Sequence, residues 1–262
     1  MRFQDAFPGR KPVIGMVHLM ALPGSPDFCG DLEAVFRAAL EDLHALEQGG
    51  VDAAIVENFG DTPYSTGNDL MTLAAMTALA VRLRAESGLR LGLNVQFNCV
   101  EAEWDIACAG GYDFIRVEAC VENRVGVHGV AYASAPELLR LKGRYPAPTM
   151  IFADINTKHT YPLVEQPLDF SIHEAKAAGA DALIVTGLVT GQNPSPEDVR
   201  RFKSLAGDTP VLLGSGIKAE NAAAFFEIAD GAIVGSSIKR GGMVQNQVDP
   251  ERVRRFMEAL GR

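Results

Sequence analysis

Eight short β-rich apolar runs, PVIGMV, AAIVEN, LGLNV, FIRVE, MIFADI, ALIVT, VLLG and GAIVG, recur along the chain, each giving way to polar residues or glycine. Between them lie stretches with apolar residues three and four apart. The clearest covers 32–48, where Leu32, Val35, Phe36, Ala39, Leu43 and Leu46 precede the stop signal Gly49-Gly50. Similar patterns cover 69–86, 101–109, 134–144, 169–178, 196–206, 219–228 and 249–260. Strands apolar on both faces that alternate with helices form a parallel sheet covered on both sides. Eight such units favour closure, so the expected α/β fold is a single-domain (β/α)8 TIM barrel over residues 1–262. The 47% hydrophobic content supplies one sizeable core. An open doubly wound sheet is the runner-up, but its G-x-G-x-x-G turn is missing after the first strand. A weak internal echo supports the repeat: GGVDAAIVE, GGYDFIRVE, AGADALIVT and IADGAIVG each place Asp just before a strand.

In such a barrel function sits at the C-terminal strand ends. Here these ends are polar: His18; Glu57, Asn58 and Asp61; Asn94, Gln96 and Asn98; Arg116 and Glu118; Asp154, Asn156, Lys158 and His159; and Thr186. Strand residues two apart share a face, which pairs Asn94 with Gln96, Arg116 with Glu118 and Asp154 with Asn156, all expected to point into the mouth. The opposite register would bury unpaired charges under helices. Some of these groups could simply satisfy one another as ion pairs; the whole set is more economically a site.

Near the C-terminus VLLGSGI and AIVGSSIK each run from a strand into a small-residue turn and a helix start. Gly214, Ser215, Gly216, Gly235, Ser236 and Ser237 can therefore present backbone N–H groups and hydroxyls to an anion, in the two units where barrel phosphate sites commonly form. The glycines could equally serve only as tight turns. Lys239 could reach the anion or be a solvated helix residue. The segment TGLVTGQNPSPED is a substrate-loop candidate ending in the N-cap Ser195, and 119–133 is the better lid candidate.

A formal charge of −9 disfavours nucleic acid and anionic membranes as partners. No apolar run is long enough to span a membrane and the start lacks a secretory apolar region, so the expected location is cytoplasmic. Cys29, Cys99, Cys108 and Cys120 form no CxxC pair and are expected as small hydrophobes. Assembly into homo-oligomers stays open.

Taken together, IGMVHLMALPGSP, GGVDAAIVENFGDTPY, FIRVE, ADINTKH, DALIVTG, TPVLLGSGI and DGAIVGSSIKRGG resemble the BtpA/SgcQ family over nearly the whole chain. The resemblance implies a phosphate-binding type of barrel. Two positions depart from the family's pattern: Asn98-Cys99 stands where Asn-Asp is expected, and Glu118 where an Asn often follows IRV. The leading expectation is an enzyme of a small phosphorylated or anionic metabolite, a sugar or nucleoside derivative, with isomerase, lyase or glycosidic-cleavage chemistry. Asp154 or Glu57 is the expected general base, with His159 or His18 as acid partner. Asn94, Asn98, Arg116, Glu118, Asn156 and Thr186 are expected to bind substrate. Lys158 invites imine chemistry, although its polar TKHT setting fits anion binding or ion pairing better. No cofactor is expected. A divalent metal on Glu57, Glu118, Asp154 and the two histidines is a minority alternative without a compact motif behind it. The reading from a different class is a non-catalytic assembly or regulatory factor of the photosystem I biogenesis type that retains a ligand site.

Overall fold

The computed structural model describes residues 1–157, 159–186 and 194–262. In chain order the strands are β1 (Val13–His18), β2 (Ala53–Glu57), β3 (Arg90–Asn94), β4 (Phe114–Val117), β5 (Arg124–Gly126), β6 (Gly129–Ala131), β7 (Met150–Ile155), β8 (Tyr161–Pro162), β9 (Ala182–Val185), β10 (Val211–Leu213) and β11 (Gly231–Val234). The helices are α1 (Phe3–Ala6), α2 (Leu32–Gln48), α3 (Leu70–Ala85), α4 (Val100–Gly110), α5 (Ala135–Arg144), α6 (Leu168–Ala177), α7 (Pro196–Ala206), α8 (Ala219–Phe226) and α9 (Pro250–Glu258). Eight strands close a barrel in the order β1-β11-β10-β9-β7-β4-β3-β2. The eight apolar runs of the sequence are these strands. Ser195 caps α7 as expected, its hydroxyl accepting from the Asp198 N–H at 3.0 Å.

The barrel has two apolar layers. Leu43, Leu79, Leu93, Ile115, Ile151, Val185 and their neighbours seal the strands against the helices. Ile14, Met16, Ile55, Phe114, Phe152, Ile184, Leu212 and Ile233 fill the interior. At Gly92 even a Cβ would sit 2.1 Å from the Phe114 ring, so that ring occupies the space a side chain on β3 would need. The N-terminal end is closed by α1, whose Phe3 packs 5.7 Å from Phe152. Four residues are too few to show helical periodicity, so α1 left no signal in the pattern.

The repeated Asp has a defined job. The side chains of Asp52, Asp113, Asp181 and Asp230 accept from the first or second backbone N–H group of the neighbouring strand: Val13 at 2.8 Å, Leu91 at 2.9 Å, Ile151 at 2.9 Å and Val211 at 2.7 Å. Each Asp N–H in turn donates to the carbonyl of that same residue, at 2.7–3.0 Å. Four two-point clasps thus knit the N-terminal rim in register.

Over the mouth, β6, β5 and β8 form an antiparallel sheet. β5 and β6 lie in the segment 119–133 expected as a lid, and that segment is pinned. Arg124, 2% exposed, donates to Glu122 at 3.1 Å, Asn156 Oδ1 at 3.0 Å, the Thr160 hydroxyl at 2.9 Å and the Thr157 carbonyl at 3.0 Å. Cys120 is buried as expected, whereas Cys29 is exposed. Among the described residues no helix is long and apolar enough to cross a membrane.

The clasps predict the cost of losing one. Asp181→Ala leaves the Ile151 N–H without its partner and should lower unfolding free energy in urea by about 1–3 kcal/mol. A loss below about 0.5 kcal/mol, the scale of an ordinary surface change, would show that the repeat is not a clasp.

Candidate active site

Following each interior row two residues further toward the mouth changes its chemistry. Met16 leads to His18, Ile55 to Glu57, Gly92 to Asn94, Phe114 to Arg116, Phe152 to Asp154, Ile184 to Thr186, Leu212 to Gly214 and Ile233 to Gly235. Glu57, Asn94, Arg116, Glu118, Asp154 and Thr186 are all buried there.

Arg116 and Asp154 form the centre. Arg116 Nε donates to Asp154 Oδ2 at 2.9 Å and Nη2 to Oδ1 at 3.2 Å, so both carboxylate oxygens are engaged. Burial works against the guanidinium charge, but Asp154, Glu57 and Glu118 outweigh it and raise its pKa above the ordinary value. Glu118 is the opposite case. Burial drives its pKa up to about 8, assisted by the charges of Asp154 and Glu57, while Asn94 and Arg116 pull the other way. Its oxygens accept from Asn94 Nδ2 at 2.8 Å and from the Asn98 N–H at 3.1 Å. Gln96 Nε2 holds the Asn94 oxygen at 3.1 Å. Burial, with the charges of Glu57, Asp61 and Glu118, also raises Tyr64, whose hydroxyl donates to the Phe59 carbonyl.

Other expected residues sit around this centre. Asn98 adopts φ 57° and bonds Ala119 and Tyr132, bracing the loops rather than facing the ring. Asn156 is drawn to the overlying sheet through Arg124 and Glu122. His159 lies in an exposed turn. His18 stacks on Phe59, ring centroids 4.3 Å apart, and borders Gly235. Lys158, and residues 187–193 of the expected substrate loop, lie outside the described residues.

The two glycine-serine turns are stitched together. Ser237 Oγ donates to the Ile217 carbonyl at 2.8 Å and Ser215 Oγ to the Thr186 carbonyl at 2.9 Å. Gly216 has φ 77°, a left-handed backbone that favours glycine. Ser236–Ile238 is a single 3-10 turn whose first backbone bond is made by the Ile238 N–H, so those of Ser236 and Ser237 have no acceptor within it. Gly214 differs from the others: its N–H is spent on the Val185 carbonyl, and a Cβ there would sit 2.3 Å from Thr186, so packing explains this glycine. Lys239 neither reaches an anion nor faces solvent. It is 1% exposed and paired to Asp42 at 2.7 Å, because the chain turns back under α2.

Buried charged groups that the sequence does not single out include Arg124 and Glu103. Arg124 lies in the segment 119–133 expected as a lid. Glu103 was hidden in a helix, although its spacing from Val100 and Ala107 puts it on the core face. Among the described residues no group of three His, Cys, Asp or Glu is arranged to hold a metal.

Residues 9–262 match the model of the BtpA family. The chain belongs to that family. Among BtpA relatives, an uncharacterized protein of Archaeoglobus fulgidus is 42% identical over 249 residues, covering 95% of this chain and 98% of its own. The photosystem I biogenesis protein BtpA of Synechocystis is 37% identical over 258 residues, 98% of this chain and 90% of its own. Among solved structures, a tryptophan synthase α-subunit from Pyrococcus furiosus superposes with TM-score 0.60 at 18% identity, covering 97% and 99% of the two chains. The N-(5'-phosphoribosyl)anthranilate isomerase of that organism gives 0.56 at 14%, covering 95% and 98%. These likenesses place the BtpA chain among TIM barrels and carry no activity with them.

The carboxyl of Glu118 gives a pH signature. Between its ordinary pKa of 4.5 and about 8 the folded chain keeps a proton that the unfolded chain releases, so its contribution to stability is full below 4.5 and is lost as pH rises toward 8. Glu118→Gln lacks that titration. Unfolding in urea at pH 5 and pH 8.5 should show the parent losing a few kcal/mol relative to the variant, at about 1.4 kcal/mol per pKa unit. A difference independent of pH would contradict the assignment.

Proposed function

We propose that this BtpA-family barrel is an enzyme of a small phosphorylated or otherwise anionic metabolite, with Glu118 as the group that exchanges a proton. The observation that carries this is Glu118 itself: a buried carboxyl at the barrel mouth, oriented by two hydrogen bonds, whose pKa burial pushes up to about 8. General acid–base catalysis is most effective with such a pKa. Asp154 has both oxygens on Arg116 and is the less suitable base; it fixes the guanidinium in place. Glu57 acts on both by its charge. Isomerisation, lyase and glycosidic-cleavage chemistry all need one group that takes a proton and returns it.

The turns carrying Gly216, Ser236 and Ser237 would hold the anionic end of the substrate, with His18 beside them. The name of one barrel neighbour, N-(5'-phosphoribosyl)anthranilate isomerase, is in keeping with such a ligand. A net charge of −9 fits a small metabolite in the cytoplasm better than nucleic acid. No metal or cofactor enters the proposal, and it works equally in a monomer or a homo-oligomer.

A second reading is an assembly factor, as the name of the Synechocystis relative suggests. The self-paired Arg116 and Asp154 favour it, since a mouth that satisfies its own charges needs no ligand.

Inorganic phosphate tests the anion site, and turnover separates the two readings. Titrated into isotope-labelled protein, it should saturably shift the amides of Ser215, Gly216, Ser236 and Ser237. Gly216→Val should weaken binding at least tenfold, on the order of 1.4 kcal/mol, because valine is strained at that backbone. Amides that ignore phosphate would remove the anion site and leave the assembly reading. Once turnover is assayed with a phosphorylated substrate, Glu118→Gln should lower it roughly 100-fold or more.

A further inference from the structure

The seam between β3 and β4 opens toward the mouth. Their registered pairs are Gly92 with Phe114 and Leu93 with Ile115. By contrast β2 stays paired to β3 up to Glu57 and Asn94, and β4 to β7 up to Val117 and Ala153. Side chains fill the opening. Asn94 Nδ2 donates to the Arg116 carbonyl at 2.8 Å, and the Arg116 N–H donates to Glu103 Oε1 at 3.2 Å. The residue whose guanidinium clamps Asp154 is thus held at its backbone by two polar side chains in place of a strand.

Glu103 reaches this seam from α4, outside the barrel wall, and has no exposed surface. Its Oε2 is buried without a hydrogen-bond partner. An ionised carboxylate with one bare oxygen is costly in such a place, whereas a protonated acid carries no net charge there. Burial pushes the acid well above the ordinary carboxylate range, and the charge of Glu118 adds to it, against the Arg116 N–H and Asn94. The polar and titratable groups around the two carboxyls come from every neighbouring element: Glu57 of β2, Asn94 of β3, Cys99 ahead of α4, Arg116 of β4, Asp154 of β7, and Tyr64. Two carboxyls with one amide beside both hold at most a single negative charge between them.

We propose that Glu103 is a positioning residue for Glu118: a neutral acid set outside the barrel wall, it holds the Arg116 backbone, to which Asn94 is also bonded, and leaves Glu118 the one carboxyl of the pair that exchanges a proton. This rests on reading Glu118 as the acid–base group. The two can fail separately, since turnover of Glu118→Gln judges that reading while the test below is made on the protein without substrate.

Carboxyl titration by 13C NMR of glutamate-labelled protein tests it on the parent, Glu103→Gln and Glu103→Leu. In the parent, the Glu103 carboxyl should keep its protonated shift through pH 8. Glutamine copies the neutral acid and should leave the Glu118 midpoint within about half a pKa unit, whereas leucine, folded but with no acceptor for Arg116 and less polar toward Glu118, should raise it by about one unit or more. A drop of one unit or more in Glu103→Gln would show that Glu103 is ionised and overturn the proposal. An unmoved midpoint in Glu103→Leu would reduce Glu103 to packing and overturn it as well. Should the leucine variant fail to fold, the parent's Glu103 shift and the glutamine variant decide alone.

Discussion

The bidentate pair between Arg116 and Asp154 is the contact around which the mouth is arranged. It joins β4 to β7 with both partners nearly excluded from water, where either charge alone would be strongly unfavourable. The remaining charges are placed relative to it. Burial drives Glu118 to keep its proton, the charges of Asp154 and Glu57 add to that, and Arg116, already engaged by Asp154, only partly opposes it. The ion pair therefore sets the shape of the site, while burial sets its proton content.

Much of this is legible in the sequence because strand side chains alternate with period two. Once the apolar runs fix which residues fill the barrel, the positions two further on must point into the mouth, and Glu57, Asn94, Arg116, Asp154 and Thr186 follow from that step alone. The repeated Asp was visible as a pattern; its clasp on the neighbouring strand was not, because nothing in a one-dimensional pattern says which backbone N–H it meets. Lys239 was read as ligand or solvent contact because Asp42, its partner, is 197 residues away. Glu103 shows the reverse difficulty. In VEAEWDIACAG its spacing from Val100 and Ala107 puts it on the core face, and only the opening of the β3–β4 seam gives a buried carboxyl a reason to be there.

The polar mouth also bears on stability. An interior closed by further aliphatic side chains would carry none of the desolvation costs borne by Glu103, Arg116, Glu118 and Asp154. Such costs concentrate at sites where chemistry uses them. The overlying sheet fits the same view: Arg124 and Glu122 hold Asn156 from above, Thr157 Oγ1 donates to the Glu118 carbonyl, and water is kept from the carboxyl whose pKa depends on its exclusion.

The central claim is that a phosphorylated metabolite spans this mouth from the glycine-serine turns to Glu118. It is tested most directly by a crystal structure of protein purified from cells without added phosphate or sulfate, together with native mass spectrometry of the same sample. The account predicts a bound small molecule with its phosphate against the N–H groups of Gly216, Ser236 and Ser237 and a carbon or oxygen within hydrogen-bond reach of Glu118. A molecule bound elsewhere, with the mouth filled only by its own side chains, would contradict it.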